Sequence, residues 1–209
     1  MDHDLYIQYK GRKPDHAKLR ATWTCGMPMP KSDSYVALLR GINVGGKHKL
    51  PMKDLAAIFT AAKCSDVLTY IQSGNVIFKV TAEAARRLPA IVEKNIEQRF
   101  GFAAPVVMRD RDALAQVVRE NPFLKRGVPE TTLHVYFLAD LPTTDAVKGL
   151  DANRSVPDEF RVVGRHIYLY LPNGMGRTKL TSAYFDSRLS TVCTARNWAT
   201  VKKLLERMG

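Results

Sequence analysis

Three segments set arginine, lysine and asparagine beside glycine or a helix start. The first holds Arg40, Asn43, Gly45, Gly46 and Lys47, and the second holds Asn173, Gly174, Gly176, Arg177 and Lys179. The third holds Thr194, Arg196 and Asn197. Backbone N–H groups at a helix start attract anions, and a guanidinium adds a planar fork that grips phosphate or carboxylate. Convergence of the three segments therefore predicts one basic, anion-binding pocket built from Arg40, Asn43, Gly45, Gly46, Lys47, Arg177, Lys179, Arg196 and Asn197. A structural reading of the third segment is equally physical. In it Thr194 caps a helix, Asn197 bonds a loop, Arg196 pairs with an acid, and Trp198 fills the core with its indole N–H satisfied.

Gly41, Gly46 and Lys47 have the GxxxxGK spacing of a phosphate-binding loop and follow an apolar strand at Tyr35 to Leu39. His48 stands where Ser or Thr should hold Mg²⁺, and Pro51 marks a helix that opens several residues late. A glycine turn with positive φ accounts for the same residues. The apolar run from Leu133 to Asp140 ends in an acid, as many strands do, and does not rescue nucleotide hydrolysis.

Other chemistries are excluded more firmly. Ser73 in the stretch Gln72 to Phe78 has no histidine or acid within the motif to activate it, which argues against a serine hydrolase. His48, His134 and His166 lack metal-ligand spacing, and no paired carboxylates share a helical face, so the sequence calls for no metal and no cofactor. His134, within an apolar strand, reads as a core histidine. Strand His166 to Leu171 puts His166, Tyr168 and Tyr170 on one face by its period of two. Open to solvent, that face could stack bases as an RNA-recognition module does, although the surrounding VVGRHIYLY departs from that signature. Burial between two packed halves is the preferred reading.

The elements that must position these residues follow from hydrophobic periodicity. From Tyr35 a strand, a helix over about Met52 to Ala62, a hairpin turning at Ser73 and Gly74, a helix over about Ala82 to Arg99 and a strand from Ala104 to Met108 succeed one another. Pro89 predicts a kink or a late start in the second of these helices. Asp110 is placed to cap a helix running to about Glu120. The order then recurs, with strands at Thr132 to Leu138, Phe160 to Val163 and His166 to Leu171, and helices near Thr144 to Leu150 and Leu180 to Leu189. The expected fold is α+β, two ferredoxin-like β-α-β-β-α repeats forming one compact unit with a C-terminal helix. Its parts are a repeat over 35–110, a connector over 111–131, a repeat over 132–190 and a helix over 194–208 with a stripe of Trp198, Val201, Leu204, Leu205 and Met208.

At 209 residues and 45% hydrophobic content the chain can bury one sizeable core or two small ones. No run approaches the roughly 20 apolar residues of a membrane span, and the N-terminus lacks the apolar core of a secretory signal. The expected compartment is cytoplasmic, with no membrane partner. Cys25, Cys64 and Cys193 form no CxxC pair and read as reduced thiols. Net charge is +12, and residues 1 to 34 hold six Lys and Arg against four Asp, leaving 26 against 16, or +10, on the remainder. Such a balance favours polyanionic partners.

Taken in order, YVALLRGINVGGKHKL from Tyr35, QSGNVIF from Gln72, GRHIYLYLPNGMGRTKL from Gly164 and TARNWATVKKL from Thr194 resemble the domain-of-unknown-function 1697 family over Tyr35 to Met208. The resemblance implies two related α/β repeats in one unit and no established reaction, substrate or cofactor. Because it begins at Tyr35, residues 1–34 read as a disordered extension or a mis-assigned start, with Met27 or Met29 as the true initiator. The reading of function from the residues is a binding module for a phosphate-bearing partner, nucleic acid first, through Arg40, Lys47, Arg177, Lys179 and Arg196. The alternatives are an enzyme acting on a nucleotide or phosphorylated small molecule, or a protein-interaction scaffold.

Overall fold

Strand alternation determines how this chain layers. In the computed structural model, which describes residues 32–209, Val36 and Leu38 face one side of the first sheet while Ala37 and Leu39 face the other. The first half runs β1 (Ser32–Leu39), α1 (Met52–Ala61), β2 (Ser65–Tyr70), β3 (Asn75–Thr81), α2 (Ala82–Phe100), β4 (Val106–Asp110) and α3 (Arg111–Arg119). The second runs β5 (Leu133–Leu138), α4 (Thr144–Lys148), β6 (Glu159–Val163), β7 (His166–Tyr170), α5 (Ser182–Leu189), β8 (Cys193–Asn197) and α6 (Trp198–Arg207). Each half makes a four-stranded antiparallel sheet, ordered β2-β3-β1-β4 in the first and β6-β7-β5-β8 in the second. The fold is α+β, with two such sheets and six helices among the described residues.

Three apolar layers result. Leu55 and Phe59 of α1 and Leu88, Val92 and Ile96 of α2 cover the outer face of the first sheet. Tyr184, Phe185 and Leu189 of α5 cover the outer face of the second. Between the sheets lie Val36, Leu38, Val107, Val135, Phe137 and Tyr168, joined by Leu114 and Val117 of α3 and by Trp198, Val201 and Leu204 of α6. The aromatic face of β7 thus packs between the sheets, as preferred above: Tyr168 is 1% exposed and donates its hydroxyl to Val117 O at 3.3 Å, while His166 and Tyr170 are half-buried.

Several elements differ from the sequence reading. β1 begins at Ser32, because backbone pairing of Ser32, Asp33 and Ser34 with Thr81, Val80 and Lys79 extends the strand ahead of its first apolar residue, Tyr35. The rest of the expected extension, 1–31, and the proposed starts at Met27 and Met29 lie outside the described residues. α2 runs unbroken through Pro89, capped at its start by the Thr81 hydroxyl and closed by Gly101 in the left-handed region. The expected helix from Thr194 begins instead at Trp198, since Cys193–Asn197 pairs with β5 as the fourth strand of the second sheet. The second half therefore does not end at 190, and the helix over 194–208 becomes a strand followed by a helix.

On the inner faces each sheet's edge strand sends one arginine across the boundary. Arg196 of β8 is 7% exposed and donates to Leu39 O (2.9 Å), Ser73 O (3.0 Å), Gly74 O (3.2 Å) and Asn75 Oδ1, all in the first half, and to Thr194 Oγ1 and Ala195 O beside it. Arg109 of β4 is 2% exposed and donates to Leu138 O (2.8 Å), Arg165 O (2.8 Å) and His166 Nε2 (2.9 Å) in the second half, and to Met108 O. The two sets correspond. Leu39 and Leu138 end β1 and β5, Gly74 and Arg165 lie in the β2–β3 and β6–β7 turns, and Asn75 and His166 open β3 and β7. Even the supporting bonds match, Leu39 N to Gly74 O at 2.8 Å and Leu138 N to Arg165 O at 3.0 Å. Neither arginine forms an ion pair with a carboxylate among the described residues. Burial lowers the Arg196 pKa to about 10, and burial with the nearby Arg165 charge lowers Arg109 to about 9, so both stay cationic at neutral pH.

Replacing Arg109 or Arg196 with Met should lower unfolding free energy by about 3 kcal/mol, because carbonyls left unpaired in the interior cost about 1–3 kcal/mol each. Urea denaturation reads this, and a loss below ~1 kcal/mol would mean that water or neighbouring groups replace the guanidinium. A second expectation concerns pH. His166 must be neutral at Nε2 to accept from Arg109, and burial, then the Arg109 and Arg165 charges, lowers its pKa to about 3. The unfolded chain takes up a proton near pH 6.5 that the folded chain refuses until about pH 3. Stability from this site is thus complete above pH 6.5 and declines as pH falls toward 3. His166→Asn, which copies Asn75, should remove up to about one proton's worth of that slope, about 1.4 kcal/mol per pH unit, with His134 contributing in the same direction in both proteins.

Candidate functional site

The loops that follow β1 and β7 rise around the start of β8. The first is built by local bonds. Asn43 donates Nδ2 to Leu50 O (2.9 Å) and Gln72 O (3.1 Å) and accepts from Leu50 N (2.8 Å), closing residues 43–50 into a lobe. At its tip Val44 and Lys47 form an isolated bridge across Gly45 and Gly46, whose φ values of +59° and +76° suit a tight reversal that glycine adopts without strain. His48 donates its Nδ1–H to Gly41 O (3.0 Å) and stacks on Phe102. This lobe replaces the helix start that a nucleotide-binding loop needs.

Gly74 explains the QSGN stretch. At φ +72° a Cβ there would lie 2.7 Å from Leu39 Cβ, so the turn requires glycine and the end of β1 packs directly on it. Asn75, fully buried, holds Tyr70 O and Ser73 Oγ through Nδ2 while its Oδ1 receives Arg196.

A cleft of about 320 Å³ brings parts of the three predicted segments together. Arg40, Gly41 and Val44 come from the first loop, Met175 from the second, and Thr194 and Arg196 from β8. Ser73, Tyr136, Ser182 and Cys193 complete its polar lining. Arg40 makes an ion pair with Asp186 and donates to Ser182 Oγ at 3.3 Å. Asp186 is fixed in turn by Cys193 N (2.9 Å).

The remaining candidates fall into other roles. Asn43, Gly45, Gly46, Lys47, Arg177, Lys179 and Asn197 do not line the cleft. Lys47, Arg177 and Lys179 are exposed and form no ion pair among the described residues. They stand in the two loops whose Val44 and Met175 wall the cleft. Asn197 is the N-cap of α6, accepting from Thr200 N at 2.8 Å, so its side chain serves the helix. Arg196 is spent on the first half, against carbonyls rather than the acid of the structural reading. Thr194 bonds Leu39 O and Arg196 instead of capping a helix. Trp198 fills the core, its indole N–H without a hydrogen-bond partner among the described residues. Sequence reasoning missed Asp186, Ser182 and Tyr136, which nothing in their local pattern distinguishes from ordinary helix and strand residues.

Burial, reinforced by Asp186, raises the Cys193 thiol far above its ordinary range, and burial raises Tyr136, whose hydroxyl donates to Leu180 O at 3.2 Å. Ser73 Oγ accepts from Asn75 Nδ2 (3.1 Å) and has no histidine or carboxylate partner among the described residues. Among the described residues no cluster of three or more His, Cys, Asp and Glu could hold a metal ion. Burial likewise lifts Cys64 to about 11. Cys64 and Cys193 should therefore resist iodoacetamide in the native protein at pH 8 and react only on unfolding, as peptide mapping by mass spectrometry reads; rapid native labelling of Cys193 would identify it as an activated nucleophile.

No curated protein matches the chain. Among solved structures it is similar to the conserved bacterial protein SP0830 from Streptococcus pneumoniae, with 21% identity, 85% of this chain and 99% of that one covered, and a TM-score of 0.64. At that identity the likeness concerns the fold alone. No helix of the described residues is long and apolar enough to cross a membrane. The family described as protein of unknown function (DUF1697) matches residues 33–168, more than half of the chain, and this chain belongs to that family.

Proposed function

We propose that this protein is a binding module for a phosphate-bearing partner, nucleic acid first, engaged at the cleft mouth in the cytoplasm. One observation carries the reading. The two glycine-bearing loops that wall the cleft present Lys47, Arg177 and Lys179 to solvent without carboxylate partners among the described residues, on a chain of net charge +12. Exposed cations at a rim suit phosphates spaced along a backbone, since each can neutralise one and release its counterion. Arg40 has a narrower part. Paired with Asp186, it offers a fixed donor surface rather than a free charge, which suits orientation of a bound group. The reading of each half as a ferredoxin-like module belongs here too, supported by the β-α-β-β-α-β order and the matching strand orders.

The raised thiol and phenol in the cleft wall count against the enzyme alternative, because neither supplies a nucleophile or base near neutral pH. Fluorescence anisotropy with labelled single-stranded RNA and duplex DNA tests the proposal. Binding should fall steeply between 50 and 200 mM salt, and a Lys47, Arg177 and Lys179 triple Ala variant should bind at least about tenfold more weakly, with a salt slope shallower by roughly 2–3. Absence of binding at low salt, or equal binding by the variant, would contradict it.

A further inference from the structure

The internal repeat lays a second cleft beside Arg109, as the first lies beside Arg196. Thr81 and Thr181 cap α2 and α5 through the same bond, to Ala84 N and Tyr184 N, so Arg86 occupies in α2 the place that Asp186 occupies in α5. Arg40 N and Ala139 N bond Pro105 O and Val192 O, the residues just before β4 and β8, so Ala139 occupies the place of Arg40. The ion pair of the first cleft therefore has no counterpart in the second. Asp186 also holds the first amide of β8, at Cys193, whereas the first amide of β4, at Val106, is held by Glu93 Oε1 at 2.7 Å. That substitution frees position 86 to carry a positive charge.

The second cleft, about 400 Å³, gathers Arg86, Arg109 and Arg165 against the carboxylate of Asp110. Asp110 is partly engaged, since its Oδ1 accepts Ala113 N at 2.7 Å to cap α3. Arg86 and Arg165 are exposed and form no ion pair among the described residues. Arg109 keeps one Nη1 hydrogen beyond those given to Met108 O, Leu138 O, Arg165 O and His166. Tyr35 lines the same cleft and adds a hydroxyl, and Ala82, Ala85 and Met108 give it an apolar wall. The loop after β5, 139–143, is much shorter than the 40–51 loop after β1 that walls the first cleft.

The geometry points to a binding site in this second cleft for the phosphoryl group of a small phosphate monoester, held between Arg86 and Arg165 beside Arg109. A carboxylate is satisfied by one guanidinium fork, whereas the terminal oxygens of a phosphomonoester can accept from two forks and a hydroxyl at once. The apolar wall takes the organic part of the ligand.

Amide ¹H–¹⁵N shift titration of the full chain with phenyl phosphate tests this site, with benzoate as the carboxylate comparison. Saturable shifts are expected at Ala82 to Arg86, Met108 to Asp110 and Arg165, with benzoate binding at least tenfold more weakly. An Arg86→Ala, Arg165→Ala double variant should lose at least tenfold in phenyl phosphate affinity, and both positions are exposed, so an unchanged unfolding midpoint is expected. The Lys47, Arg177 and Lys179 variant should titrate as the parent does, which separates this site from the nucleic-acid reading. No saturable shift, shifts centred elsewhere, equal affinity in the double variant or equal affinity for benzoate would each overturn the assignment.

Discussion

A guanidinium carries five N–H donors in one plane, and burying it without a carboxylate requires acceptors brought to it from several directions. In this chain Arg109 and Arg196 meet that requirement by reaching out of one half into the other. Each takes the carbonyl that ends a central strand, a carbonyl of the neighbouring hairpin turn and the first side chain of the next strand. The apolar layer between the sheets supplies the larger non-directional attraction. The arginines supply what that layer lacks, a directional constraint on how the sheets meet. Lysine could not substitute, because three donors on one nitrogen cannot span a strand end and a turn together.

The placement of the two clefts follows from this constraint. Each lies beside a clasping arginine, and the surrounding charges then diverge between the halves. Beside Arg196 the cleft is walled by the long β1–α1 lobe and neutralised by the Arg40–Asp186 pair. Beside Arg109 the equivalent loop is short and an arginine replaces the acid. A common frame thus presents two environments of different charge and openness, and the basicity of the chain divides between cations that hold the fold and cations that face solvent.

The repeated β-α-β-β-α pattern was legible because apolar periodicity reports which faces are buried, and the aromatic face of β7 was assigned correctly by the need to cover both faces of a sheet. The end of the chain was misread for a specific reason. Thr194, Arg196 and Asn197 before an amphipathic stripe carry the polar signature of a helix start, and only the pairing with β5 distinguishes a strand. Ser32 to Ser34 were missed because backbone ladders accept polar residues that periodicity ignores. Arg196 entered the anion site because one chain displays residue types without their partners, and a guanidinium that serves carbonyls looks like one that serves phosphate. Arg109, its equivalent, went unnoticed in an apolar strand with no glycine nearby. Asp186 and Arg86 share a position whose charge matters only once the halves are superposed.

The clasp is tested most directly by hydrogen exchange at the Arg109 and Arg196 Nε–H groups, followed in ¹⁵N-arginine-labelled protein. Two guanidinium signals should persist long after those of the exposed arginines have exchanged, and both should open with the free energy of global unfolding, since neither donor can reach water while the halves stay docked. Exchange at either site as fast as at Arg86 or Arg177 would contradict the account, showing that the halves meet without these bonds.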